Sequence, residues 1–124
     1  MPIHIRVLLV IHVLFFLLSL FVAMVSTSSE ALVNFAIAAW FGIVAFGIWA
    51  QLKIIRYAIW VNGLLGVAFA IFQAIFIYVL LTAPSEQEFS LLVPVLTLLF
   101  QLAFGIYTVF AVRSDDARRY FQSR

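Results

Sequence analysis

The sequence predicts an all-α integral membrane protein, a four-helix bundle built from two antiparallel helical hairpins. Three observations carry that prediction. Of its 124 residues 67% are hydrophobic and only 10% charged, whereas an ordinary soluble domain carries about 25% charged residues. The apolar residues fall into four runs, each close to the roughly 20 residues that a helix needs to cross a hydrocarbon core of about 30 Å. The charges lie between and beyond these runs; Lys53 and Arg56, in the hinge Trp49–Trp60, are the only ones between the second and third. The four runs nearly exhaust the chain, so residues 1–124 read as a single four-transmembrane-helix domain.

The first helix is expected over about 5–26; after Arg6, its apolar run at residues 7–25 holds only His12 and Ser19 as polar residues. Leu, Ile, Phe and Val each favour insertion by about 0.3–0.6 kcal/mol, which outweighs one histidine. A secretory signal would have an apolar core of only about 7–15 residues, so this run reads as a membrane span. Residues 26–30, STSSE, supply helix-capping side chains and an acid suited to the positive end of the next helix dipole. A turn this short makes the next helix, about 31–51, an antiparallel neighbour. It is rich in small residues, and Ala38 with Gly42 forms a small-xxx-small pair that lets backbones approach in lipid.

The third helix is expected over about 56–82, with Ala58, Asn62, Gly66, Ala70 and Ala74 every fourth residue as a contact stripe. Pro84 should end it, because proline cannot continue the hydrogen-bond ladder. Residues 85–88, SEQE, then form a second outer loop. The fourth helix, about 89–112, carries Pro94 near its start and Thr97, Gln101, Gly105 and Thr108 along one face. Residues 113–124 read as a polar cytoplasmic tail, with a turn or two of interfacial helix whose Tyr120 and Phe121 touch the lipid headgroups.

The cations set the orientation. Arg6, Lys53, Arg56, Arg113, Arg118, Arg119 and Arg124 fall at the N-terminus, hinge or C-terminus, and the other two loops hold only Glu30, Glu86 and Glu88. The positive-inside rule then puts both termini and the hinge in the cytoplasm. Ile5-Arg6 through His12 aligns with Ile55-Arg56 through Asn62, and AFGIW at 45–49 with AFGIY at 103–107. These matches admit a parallel internal repeat relating the hairpins. They are short, in a biased alphabet, and equally admit coincidence.

The chemistry is sparse. With no cysteine, thiolate nucleophiles and Cys-ligated metals are excluded, and no basic run is long enough for nucleic acid. No Asp, Glu, Lys or Arg lies inside an apolar span, which argues against a proton-coupled transporter. No catalytic set and no metal-ligand set emerges. His12 is the one titratable side chain in a span; as a functional residue it would ligate a haem or pigment or relay a proton. As a packing residue it would bond a partner helix, with Gln101 as acceptor, and this reading is preferred because a haem-binding bundle needs further histidines. Asn62, Gln73, Thr97 and Gln101 could line a polar path, but such residues more often join helices. The tail mixes Asp115 and Asp116 with Arg118 and Arg119, which makes it a poor polybasic lipid motif and favours a solvated cap.

A basic hinge leading into a Trp-bearing third helix (LKIIRYAIW) and a fourth helix ending VRSDDARRYF resemble small bacterial inner-membrane proteins with four helices and no assigned function. The resemblance covers the topology of the whole chain, implies a multi-pass inner (plasma) membrane location, and brings no catalytic residues. Small multidrug exporters, with a membrane-embedded Glu in the first helix, and small fluoride channels, with a Thr-Thr-Phe-Ser run, have no counterpart here. The expectation is therefore a non-enzymatic accessory or scaffolding subunit that meets the bilayer and other membrane proteins or copies of itself. The alternatives are a small-solute channel or transporter acting as a homo-oligomer, and a haem- or pigment-binding subunit through His12.

Overall fold

The computed structural model describes residues 1–82 and 92–122; the expected stop at Pro84 and the loop at 85–88 lie outside them. Among the described residues there are five helices and no strand: α1 Ile3–Val25, α2 Ser28–Trp49, α3 Ile55–Thr82, α4 Leu92–Arg113 and α5 Asp115–Gln122. The first four are each long and apolar enough to cross a membrane. Their outward side chains are large and apolar, Phe110 being 74% and Phe72 70% exposed, a surface that suits lipid and not water. The protein is an all-α multi-pass membrane protein built from two closely packed hairpins, α1·α2 and α3·α4. The chain divides into two compact units, Met1–Ile59 with Ala111–Arg124, and Trp60–Phe110.

In the first unit, Pro2 precedes α1 with φ −60°, a position where its missing N–H costs nothing. Ile5, Leu8, His12 and Ala23 are buried at the three- and four-residue spacing of one helix face. Ser26 and Thr27 are both extended, so the turn has two residues and α2 begins earlier than expected. Ser28, Ser29 and Glu30 are helical because Thr27 takes the capping position, its carbonyl accepting from the Ala31 N–H at 2.7 Å.

α2 stops at Trp49, and the expected extension to residue 51 fails for a backbone reason. Gln51 has φ +59°, the left-handed conformation that closes helices. The Leu52 N–H reaches Gly47 O at 3.0 Å and the Gln51 N–H reaches Ile48 O at 3.2 Å. The chain then folds back so tightly that a Cβ on Gly47 would meet the Ile55 side chain, whose own Cβ lies 3.1 Å away.

The tail departs most from expectation. Ser114 accepts the Ala117 N–H on its Oγ at 3.2 Å and starts α5, with Asp115 and Asp116 in the first turn. Ala117, Tyr120 and Phe121 are buried, and the Tyr120 hydroxyl donates to Ile48 O at 2.8 Å. Tyr120 and Phe121 therefore do not reach for headgroups. They pack on the protein because positions i, i+3 and i+4 form one apolar face and the Ile48 carbonyl, which already accepts the Gln51 N–H, has a second lone pair for the Tyr120 hydroxyl.

In the second unit α3 and α4 run antiparallel. Gly63 faces Val109 and Gly105, Gly66 faces Gly105 and Gln101, and Gln73 faces Pro94, so partner numbers fall as α3 advances. The predicted α3 stripe holds only in part. Asn62, Gly66 and Ala70 are buried, Ala58 is half-buried and Ala74 is exposed. At 3.6 residues per turn a four-residue repeat drifts about 40° per step, so a long one leaves the contact face.

Candidate functional site

The tightest construction in the second unit is the crossing of α3 and α4. A Cβ on Gly105 would lie 2.7 Å from Val67 N and 2.8 Å from Gly63 O, and one on Gly66 would lie 3.2 Å from Gly105 Cα and 3.4 Å from Gln101 O. Backbone thus meets backbone, an approach that glycine alone permits, and in lipid such packing is a main source of helix association. Gly66 and Gly105, singled out from the sequence, do meet. Gly63 belongs to the same contact and was not singled out; its signal was the three-residue spacing of NGLLG, which places both glycines on one face.

The polar residues on these helices divide by what they bond. Thr97 Oγ1 donates to Val93 O one turn back at 2.8 Å, and Gln73 Nε2 reaches Pro94 O across the hairpin at a long 3.5 Å. Asn62 is buried on α3. Gln101 Oε1, the acceptor that the sequence offered to His12, is buried with no hydrogen-bond partner among the described residues, and Thr108 Oγ1 shares that condition.

His12 lies in the first unit, fully buried. Its Nδ1–H donates to Leu8 O at 2.7 Å, a bond within its own helix, and its ring centroid lies 5.8 Å from that of Phe41. Phe41 in turn stacks on Phe15 at 5.1 Å. At the next residue of α2, a Cβ on Gly42 would lie 3.1 Å from the Phe16 ring, and Ala38, one turn earlier, is buried on the same helix. Gly42 thus makes room for an α1 side chain where Gly66 and Gly105 make room for backbone. His12 is thus buried beside an aromatic ring of the neighbouring helix. Among the described residues no three His, Asp or Glu gather as metal ligands.

No protein-family model, curated protein or solved structure matches this chain. Residues that sequence reasoning left out are Phe41 and Phe16, which look like any other apolar residue in so aromatic a chain, and Gln51, whose backbone conformation no pattern announced. Arg56 was read only as a topology charge; its Nε also donates to Val112 O at 3.2 Å, satisfying one of the carbonyls that every helix leaves open at its C-terminus.

Proposed function

We propose that this protein is a non-enzymatic accessory or scaffolding subunit of a larger membrane assembly, with both termini cytoplasmic. The observation that carries the reading is the division of labour on α3. Its glycine face is consumed inside the hairpin, while Leu65, Phe69, Phe72, Phe76 and Val79 stay exposed on one continuous helical face. An aromatic stripe of this kind offers a neighbouring transmembrane helix large contact area at low side-chain entropy cost. A photo-crosslinking amino acid at Phe72 or Phe76, expressed in native membranes, should give a discrete adduct with one other polypeptide. Adducts with lipid alone at both positions would end this reading.

A second reading, a small-solute path in a homo-oligomer, is supported by Gln101 Oε1 and Thr108 Oγ1, buried and unbonded among the described residues. Buried polar atoms without partners are costly in lipid, and a passing solute or water would satisfy them. This reading requires that Gln101→Ala change solute flux in liposomes while the helical circular-dichroism signal stays intact. A crosslink of Phe72 to a second copy of the chain would favour it over the first.

A further inference from the structure

Arg6, Lys53, Arg56, Arg113, Arg118 and Arg119 are scattered over the sequence, and the fold collects them. Because α1 and α2 are antiparallel neighbours, Arg6 near the start of α1 and Lys53 just beyond α2 share one end of the hairpin. The Tyr120–Ile48 bond and the burial of Ala117 and Phe121 lay α5 on that same end. Arg118 and Arg119 come with it, on the exposed side of α5. The Arg56–Val112 bond sets Arg113 beside the start of α3. All six cations belong to one compact unit, and all but the half-buried Arg56 are exposed. Asp115 and Asp116 are the acids of this end, and they occupy the first turn of α5, where they offset the positive end of the helix dipole. At the opposite end of the same unit the sole charge is Glu30.

We infer that this cationic end is a binding surface for the phosphate headgroups of anionic phospholipids. The cations sit within a turn or two of where the apolar spans end, the depth of the headgroup phosphates. Guanidinium groups match phosphate oxygens in paired hydrogen bonds, and the long stems of Arg and Lys lie along apolar surface while their charges reach the interface. Exposed Trp49 and Tyr57 flank the hinge cations, as interfacial aromatic residues do. That flanking sets the charges against the bilayer surface and not clear of it, where a soluble acidic protein would need them. The tail by itself mixes signs and makes a poor lipid motif; docking of α5 merges its two arginines with four cations from elsewhere in the chain.

The experiment uses the full chain in vesicles that mix a zwitterionic and an anionic phospholipid, with either phosphatidylglycerol or phosphatidylcholine brominated in turn. Quenching of tryptophan fluorescence reports which lipid sits against the protein. The expected result is stronger quenching by brominated phosphatidylglycerol at equal mole fraction, with the preference falling roughly fivefold for each cation removed among Lys53→Gln, Arg118→Gln and Arg119→Gln. The control Glu30→Gln, at the other end, should leave the preference unchanged. Equal quenching by the two brominated lipids in the unaltered protein would overturn the inference and leave the cations as determinants of topology only. A preference that survives all three substitutions would also overturn it, by placing the lipid elsewhere. Should the triple variant fail to insert, Lys53→Gln alone and the salt dependence of the unaltered protein decide: a preference that 1 M salt does not weaken is not electrostatic, since screening there acts within about 3 Å.

Discussion

In the α1·α2 hairpin a glycine faces an aromatic ring, Gly42 against Phe16, whereas in the α3·α4 hairpin glycine faces backbone, Gly105 against Val67 N and Gly63 O. A ring can turn or shift to admit a methyl group; a backbone within a helix cannot. The first hairpin is also anchored from outside its spans, by Tyr120 and Phe121 of α5. In the second, three glycines bring the helix backbones together, and Gln73 Nε2 reaches Pro94 O at a long 3.5 Å. Side-chain packing tolerates change and can be reinforced at the ends, while backbone packing is close but brittle.

This contrast is open to direct attack. The largest effect is expected from Phe121→Ala, which removes the apolar anchor of α5. By the scale of buried Phe→Ala changes it should cost about 3 kcal/mol, and hydrogen exchange should quicken throughout residues 115–122. Protection that stays unchanged there would show that α5 is not held by this side chain. Next comes the paired test of the two glycines. Gly105→Ala should destabilise by about 2 kcal/mol, as overpacking against immovable atoms does. Gly42→Ala should cost less than about 0.5 kcal/mol, because Phe16 yields and alanine is the better helix former. Steric-trap unfolding in micelles measures both, and equal costs would erase the distinction between the hairpins.

Tyr120→Phe keeps the ring and removes the hydrogen bond to Ile48 O, so a loss of about 1 kcal/mol is expected. A double-mutant comparison with Phe121→Ala sharpens this, since side chains on one docking face should not contribute additively. The smallest effect is a gain. Gln51 holds a left-handed conformation that costs an ordinary residue about 1–2 kcal/mol. Gln51→Gly should therefore stabilise the protein by about 0.5 kcal/mol once glycine's greater freedom in the unfolded chain is subtracted. A destabilised Gln51→Gly variant would mean that the glutamine side chain contributes more than its backbone costs.

Much of the architecture was legible in the residues. The count of spans, their places and the two-hairpin arrangement followed from the apolar runs and the charges between them. Gly66 and Gly105 were legible as contact residues because glycine in a transmembrane helix has few other uses. His12 was legible as the one ionisable side chain in a span, but its bond to Leu8 O was not, since a histidine can reach its own helix or a neighbour with equal ease. The stripe from Ala58 to Ala74 was read too far at its last residue, the exposed Ala74, because a regular spacing of four does not follow a helix of 3.6 residues per turn indefinitely.

What the sequence by itself determined is therefore what the bilayer demands: about 20 apolar residues per span, every backbone group bonded within a helix, and charges kept to the ends. Those constraints act on each segment separately and leave their mark in composition. Which faces meet was decided only by the tertiary structure, because lipid and protein are both apolar neighbours and a periodic pattern cannot tell them apart. The same holds for α5. Its Tyr120 and Phe121 could satisfy either headgroups or protein, and in the fold the Tyr120 hydroxyl donates to Ile48 O at the end of α2 while Phe121 is buried.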